Sequence, residues 1–264
     1  MTPEDKILIA RYTDKANQCS ENSMITCTPF LDMRERSVIA SHLVAKSEAK
    51  TVFYGVFEDA ERTAAVMLPY YIEADDYESL SIYFKENPDD NPLAIIEVEK
   101  DKFSAPLSHR DYLGALMSLG IRREVTGDIV VSESGCQIAV LSHMAEYIAE
   151  NLCKAGRGTL KTKIISPCDC SDSNKSVAED DSFTVSSLRL DSIVKNAFRV
   201  SRSDAVSAIE SGVVFVNDSE CIKADKKISA GDKIVFRRKG RIIIDDCSCV
   251  SKRGRIIVKI KKFT

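Results

Sequence analysis

Two hydrophobic periods meet in residues 187–216. Leu190, Ile193, Val194 and Ala197 recur at helical spacing and make one apolar face, with Arg189, Lys195 and Arg199 lying off it. Ser201-Arg202-Ser203-Asp204 follows, an S-x-x-D form whose hydroxyl and carboxylate can satisfy the free N–H groups that begin a second helix. Ala205, Ala208 and Ile209 form the apolar face of that helix, and Gly212 stands where a left-handed C-terminal residue is wanted. Residues 213–216, β-branched and aromatic, read as a strand that Asn217-Asp218 turns. The expected order is helix, short turn, helix, strand.

Elsewhere the same reading gives two more blocks. Ile7, Leu8 and Tyr12 place a helix over 4–19, and Thr28-Pro29-Phe30-Leu31 breaks it. Val38, Ile39, Leu43 and Val44 place a second helix over 32–50. Residues 51–57 and 63–68 are β-like runs around Glu58-Asp59-Ala60, so 1–90 is expected to be an α+β unit closed by the loop Asn87-Pro88-Asp89-Asp90-Asn91-Pro92. Residues 91–166 then read β-α-β-β-α-β. The strands are 93–98, 128–132, 136–141 and 160–166; the helices are 109–119, ended by Gly120, and 143–155, ended by Gly156. This is the ferredoxin-like order, shared by many RNA-binding modules, which stack bases on sheet aromatics. The segments 128–132 and 136–141 contain no aromatic residue.

Residues 167–182 (PCDCSDSNKSVAEDDS) lack an apolar period and read as a linker. Beyond the helix pair, a turn at Ala230-Gly231 leads to strands at 233–238 and 241–244, a break at 245–251 and a terminal strand at 255–262. The fold class is therefore α+β, in three domains at 1–90, 91–166 and 183–264.

Charge sharpens that division. The net charge of −3 over 264 residues hides a split. Residues 181–264 hold 18 Lys and Arg against 10 Asp and Glu, or +8, which leaves 19 against 30, or −11, for residues 1–180. A basic end on an acidic body points to a polyanion bound at that end, although a solvated charged surface would look the same. Nine scattered cysteines read as reduced thiols of a cytosolic protein. No apolar run reaches the length of a membrane span, and the acidic N-terminus does not read as a signal peptide.

Few residues invite catalytic or metal chemistry. In His109-Arg110-Asp111 the His and Asp are two apart at a helix start and do not face each other; a capping role for Ser108 or His109, with Arg110 left for a partner, is the plainer reading. Cys168-x-Cys170 and Cys247-x-Cys249 could supply four thiolates, but structural zinc prefers two to four spacer residues within each pair. His42 and His143 are isolated imidazoles, and neither a Walker motif nor G-x-G-x-x-G occurs. No cofactor, metal or small-molecule substrate is expected. Arg237-Arg238-Lys239-Gly240-Arg241, together with Lys252, Arg253, Arg255, Lys259, Lys261 and Lys262, offers cations that release counterions from RNA. For the last six, the protective charge of a solvated strand edge is the alternative.

R-L-D at 189–191, S-R at 201–202, Gly212, V-N at 216–217 and G-D at 231–232 together resemble the alpha-L RNA-binding domain, the type named after the fourth small-subunit ribosomal protein, over residues 183–245. Asp218 departs from it, standing where that family has Gly after the Asn. The resemblance implies RNA contacts from Arg189, Arg199 and Arg202; Lys195, Ser201, Lys223, Lys233, Arg237, Arg238, Lys239 and Arg241 complete the candidate set. A second resemblance spans nearly the whole chain. Residues 108–121, Gly127-Asp128-Ile129 and Phe30-Leu31-Asp32, together with the C-terminal module, resemble the bacterial YlmH family. It implies a cytoplasmic, ribosome-associated protein involved in rescue of stalled large ribosomal subunits, with ribosomal RNA and peptidyl-tRNA as partners, and it carries a link to cell division. The expectation is a non-catalytic adaptor that binds ribosomal RNA or tRNA on the large ribosomal subunit. The alternative is an RNA-modifying enzyme docked by its C-terminal module, which would need a catalytic motif within 1–166; neither a cofactor loop nor a pseudouridine synthase motif is found there.

Overall fold

Thr2 begins the first helix by accepting the Asp5 N–H at 3.3 Å, while its own N–H donates to the Asp5 carboxylate at 2.7 Å. This reciprocal cap and Pro3 in the first turn fix the start of α1 (Pro3–Asn22). Asp5 also pairs with Arg34 of α2 (Met33–Ala45) at 2.7 Å, joining the two helices. The computed structural model describes residues 2–263 other than 46–48, 59, 102–104, 157, 167–178, 218, 238 and 252–253. It divides into two compact units, Met1–Asn174 and Lys175–Thr264.

In the first unit, β1 (Thr26–Cys27), β2 (Lys50–Tyr54) and β3 (Ala64–Leu68) form an antiparallel sheet in the order β1-β3-β2. Strand alternation sends Ala65 and Met67 to a cluster with Tyr12, Ala16 and Ile39 of the two helices. Val66 and Leu68 face the opposite way, toward Leu80 and Phe84 of α3 (Tyr77–Glu86). Sequence reading assigned nothing to residues 77–86. Their apolar face is interrupted by tyrosines, but Asp76 caps the helix through the Ser79 N–H at 2.8 Å.

The chain continues as β4 (Leu93–Lys100), α4 (His109–Ser118), β5 (Thr126–Val131), β6 (Gly135–Leu141), α5 (Ser142–Asn151), β7 (Lys154–Ala155) and β8 (Gly158–Ile165). The sheet is antiparallel throughout, in the order β5-β6-β4-β8-β7. Without the two-residue β7, this is the ferredoxin-like arrangement expected from sequence. One expectation inside it is corrected: α5 stops at Asn151, and Gly156 turns a small hairpin at φ 55° instead of ending the helix.

Ile96, Val98, Ile138 and Val140 point to α4 and α5, where they meet Tyr112, Leu116 and Ile148. Leu93, Ile95, Ala139 and Leu141, on the other face, join the core of β2, β3 and α3. The expected division at residue 90 is therefore not a break in packing, because one hydrophobic core takes side chains from both sides of it. Polar bonds add to this. Asp128 accepts the N–H groups of Glu61 at 2.7 Å and Arg62 at 3.1 Å, and the Arg62 guanidinium donates to the carbonyls of Phe30 and Thr126.

The second unit is a six-stranded antiparallel sheet in the order β11-β10-β12-β13-β14-β9. Its elements are β9 (Glu179–Val185), α6 (Leu190–Ala197), α7 (Arg202–Glu210), β10 (Val214–Val216), β11 (Ser219–Glu220), β12 (Lys233–Phe236), β13 (Gly240–Asp246) and β14 (Ile256–Phe263). The two helices lay Leu190, Ile193, Val194, Ala205 and Ile209 on Val214, Val216, Ile234, Phe236, Ile242 and Val258. Residues 179–182, expected as linker, are the first half of β9, which pairs with β14 from Ile256 to Lys262. Acidic and polar residues suit this edge position, so β9 shows no apolar alternation until Phe183. The rest of the expected linker, 167–178, lies outside the described residues.

Gly127 tests how tightly the two halves of the first unit are wedged. A Cβ there would stand 2.5 Å from the Phe30 ring, which is fully buried and whose N–H is tied to the Glu124 carbonyl at 2.8 Å. Gly127→Ala is expected to destabilise the unit by about 1–3 kcal/mol through overpacking, read as a lower denaturant midpoint. An unchanged midpoint would show that the wedge is loose.

Candidate RNA interface

The candidate residues of the second unit start from a cap and a turn. Ser201 caps α7 by accepting the Asp204 N–H at 3.0 Å. Its hydroxyl also meets that of Ser203 at 2.8 Å, so only the serine half of the expected reciprocal cap is present. Between the helices, Arg199 takes the left-handed conformation with φ 52°, and the Val200 N–H bonds back to the Lys195 carbonyl at 3.1 Å. Glycine usually fills this position after a helix, because a Cβ is strained there. Here an exposed arginine does.

Asp191 organises what lies beside that turn. It is 1% exposed, and its two oxygens accept Nε and Nη2 of Arg189, both at 3.1 Å, while Arg202 Nη2 reaches Oδ2 at 3.3 Å. The two guanidiniums stay accessible, with side chains 43% and 68% exposed. Burial works against ionisation of Asp191 and is the largest single effect on it. The Arg189 hydrogen bond and charge, the Ser192 N–H and Arg202 together outweigh it and hold the carboxyl below its ordinary range. The Asp191 hydrogen bond in turn raises the Arg189 guanidinium. A carboxylate that fixes two arginine forks leaves their outer N–H groups presented to a phosphate.

Backbone pairing brings more cations to this place. Leu190 N–H donates to Lys226 and Asp191 N–H to Ala224, both at 2.9 Å, and Arg189 bridges Lys227. Lys226 and Lys227 are exposed and were missed from sequence, since they fall in a segment with no regular period. Lys223 is exposed in the same segment, and Lys195 is exposed in the last turn of α6, where its charge suits the helix dipole.

The remaining candidates separate from this group. Lys233 opens β12, its N–H bonded to the Asn217 side chain, while Arg237 follows the other end of that strand and donates its N–H to Val213. Arg237 and Lys239 are exposed at the β12–β13 turn, and Arg238 lies outside the described residues. Arg241 is engaged within the fold: its guanidinium lies 4.3 Å from the centre of the Phe263 ring. The cations of β14 are partly neutralised, Lys259 by Asp246 at 3.4 Å and Lys261 by Asp245 at 4.0 Å, with acidic β9 along its other edge.

In the first unit, Asp111 accepts the N–H and hydroxyl of Ser108, both at 2.7 Å, which makes His109-Arg110-Asp111 a helix start. The strands β4, β5, β6 and β8 carry no aromatic side chain, and Glu97 of β4 pairs with Lys163 of β8 at 2.7 Å. Cys247 is half-buried and Cys249 exposed; Cys168 and Cys170 lie outside the described residues.

A family described as "Putative RNA-binding domain in YlmH" matches residues 87–167, the ferredoxin-like part. Over 241 residues the chain is 32% identical to "Ribosome-associated protein quality control protein P2" of Bacillus subtilis (strain 168), covering 89% of this chain and 84% of that relative. The chain belongs to the YlmH family. Among solved structures it is similar to "Cell division protein ylmH from Streptococcus pneumoniae", with a TM-score of 0.48, 18% identity, and coverage of 65% of this chain and 97% of that one. Within the YlmH family description, RNA binding is attached to a region in which sequence reading singled out no contact residue. Among the described residues its exposed cations are Arg110 at the start of α4, Arg122 beside Glu124, Lys154 and Lys161 in the β7–β8 hairpin, and Lys163, which pairs with Glu97.

Asp191 gives a stability test with a sign. Its lowered carboxyl contributes stability above its unfolded value, lost as pH falls through the folded one. Asp191→Asn is expected to cost about 1–3 kcal/mol, the range for hydrogen bonds to charged groups, kept low because both arginines can be solvated. The wild type should lose part of its stability below about pH 4, where carboxylates protonate, and the variant should lack that part. Chemical denaturation at several pH values reads both, and parallel pH profiles would remove Asp191 from its organising role.

Proposed function

We propose that this protein is a non-catalytic RNA-binding protein of the cytoplasm that acts on the ribosome, with its basic second unit as an alpha-L-type module gripping ribosomal RNA. The observation that carries the reading is the pair Arg189 and Arg202, exposed yet locked by the buried Asp191 beside the arginine turn at Arg199. Counting from sequence, the second unit holds 19 basic and 12 acidic residues, and the first holds 18 and 28. Long-range charge therefore favours RNA at the second unit more than at the first, where any contact by residues 87–167 would rely on local cations. The names of its relatives, a ribosome-associated quality control protein and a putative RNA-binding domain, support a ribosomal setting. The large subunit and peptidyl-tRNA are the partners this reading takes, in rescue of stalled translation. Double-stranded RNA is met by shape and backbone contacts, and a rigid fork pair with lysines beside it suits that task. Engagement of Asp111 by Ser108 supports action by occupancy over catalysis.

Arg202→Glu replaces a phosphate partner with a repulsive charge. It is expected to weaken binding on every ribosomal RNA fragment tested, by about tenfold, and to lower the salt slope by roughly 1, as one phosphate contact is lost. Fluorescence anisotropy across a salt series measures both. The same variant should sediment less with free large subunits carrying peptidyl-tRNA than the wild type does. Unchanged affinity would remove this face from RNA binding, and turnover of an RNA base would favour the modifying-enzyme reading.

A further inference from the structure

The first unit presents an aromatic surface that the RNA reading does not use. Pro69 ends β3 and throws Tyr70 outward, 90% exposed, with Tyr71 beside it at 56%. The two rings meet edge to face at 5.6 Å, and the Tyr71 hydroxyl donates to the Ser23 carbonyl at 2.9 Å, which fixes the pair against the end of α1. Met24 is exposed there too, at 54%. Next to Tyr70 is a cleft of about 210 Å³, lined by Cys19, Ser20 and Ser23 of the α1 end, by Ala49 and Lys50, and by Leu68 and Pro69. Tyr71 is held by its hydrogen bond, Tyr70 stands exposed against its edge, and a cleft opens beside them, an arrangement suited to an aromatic interaction anchor.

Charge selects the occupant. Lys50, the cleft's cation, is paired with Asp75 at 2.7 Å. The chain that leads away from the tyrosines, residues 73–90, holds seven acidic residues and one lysine. Within it Tyr83 donates to Asp90 at 2.6 Å. The whole unit carries a formal charge of −10 from 18 basic and 28 acidic residues. At this surface a nucleic-acid backbone would meet the acids of residues 73–90, although the ring alone could stack a base. At about 210 Å³ the cleft has room for a side-chain stem.

We propose that the Tyr70–Tyr71 surface is a protein-docking site that takes an extended, arginine-bearing segment of a basic partner. An arginine would lie over the Tyr70 face, its guanidinium attracted by the ring and its stem in the cleft, while neighbouring cations of the segment meet the acids. This site is separate from the Arg189–Arg202 face and does not depend on it.

The test uses the full chain with a fluorescein-labelled peptide of alternating Arg and Gly, a matched Lys and Gly peptide, and labelled oligouridine. The wild type is expected to bind the arginine peptide, and the lysine peptide several-fold more weakly. Tyr70→Ala should weaken the arginine peptide at least fivefold, and Tyr70→Phe should restore it. Glu146→Gln, an exposed acid on α5, should change affinity less than twofold. Tyr70 is too exposed for its loss to unfold the protein, and an unchanged melting temperature checks that. Equal loss in the Tyr70 and Glu146 variants would mean attraction by net charge alone and would overturn the proposal. So would a Tyr70→Ala variant that binds the arginine peptide normally, or one that instead loses oligouridine, which would make the surface a base-stacking platform.

Discussion

A buried carboxylate between two arginines sets the geometry of the second unit. Asp191 lies in the first turn of α6 with almost no exposure, and so needs partners. It finds Arg189 just before its own helix and Arg202 at the start of the next, which fixes the approach of α6 to α7 as well as the direction of both guanidiniums. The hydrophobic cluster beneath supplies non-directional burial. The Asp191 contacts are directional. The same carboxylate thus joins packing to the proposed function, because it holds the two arginines assigned there to phosphate. Immobilised forks lose less freedom on binding than free side chains would, which favours affinity without sequence choice.

Strain at Arg199 supports that reading. A positive φ disfavours any residue with a Cβ, and the turn between α6 and α7 would close more cheaply with glycine. An arginine there gives up local stability and leaves an exposed cation between Lys195 and Arg202 in the chain. Arg241 makes the opposite case. It was attractive by composition, yet its place in β13 opposite Phe263 turns its charge onto a ring of its own sheet.

Much of this was legible in the sequence because local periods and local caps carried it. Ser201, Gly212 and the apolar faces of α6 and α7 are short-range signals, and so is the β-α-β-β-α-β order of 93–165. What escaped depends on contacts between distant residues. Nothing in Glu179-Asp180-Asp181-Ser182 announces a strand; it is one because β14 offers an edge with lysines to match. The domain boundary at residue 90 was misplaced for a related reason. A Pro- and Asp-rich loop marks a turn in the chain, but only the sharing of Leu93, Ile95, Ala139 and Leu141 with β2, β3 and α3 decides that the core continues across it. Lys226 and Lys227 were missed because irregular segments have no pattern to read, and backbone bonds to Leu190 and Asp191 alone bring them to the arginines.

That shared core also bears on how the ferredoxin-like part can meet RNA. Modules of this type that read single strands leave one sheet face open and stack bases on its aromatics. Here that face is occupied over Leu93, Ile95, Ala139 and Leu141 by the first ninety residues, and its uncovered strands present the Glu97–Lys163 pair. A base laid there would find no ring, and a phosphate would have to displace a carboxylate from its lysine. Any RNA contact made by residues 87–167 would then fall to the margins of the sheet, where Arg110, Arg122, Lys154 and Lys161 are exposed. Contacts of that kind follow the backbone and carry little sequence information, the same mode as the one proposed for the arginine forks of the second unit.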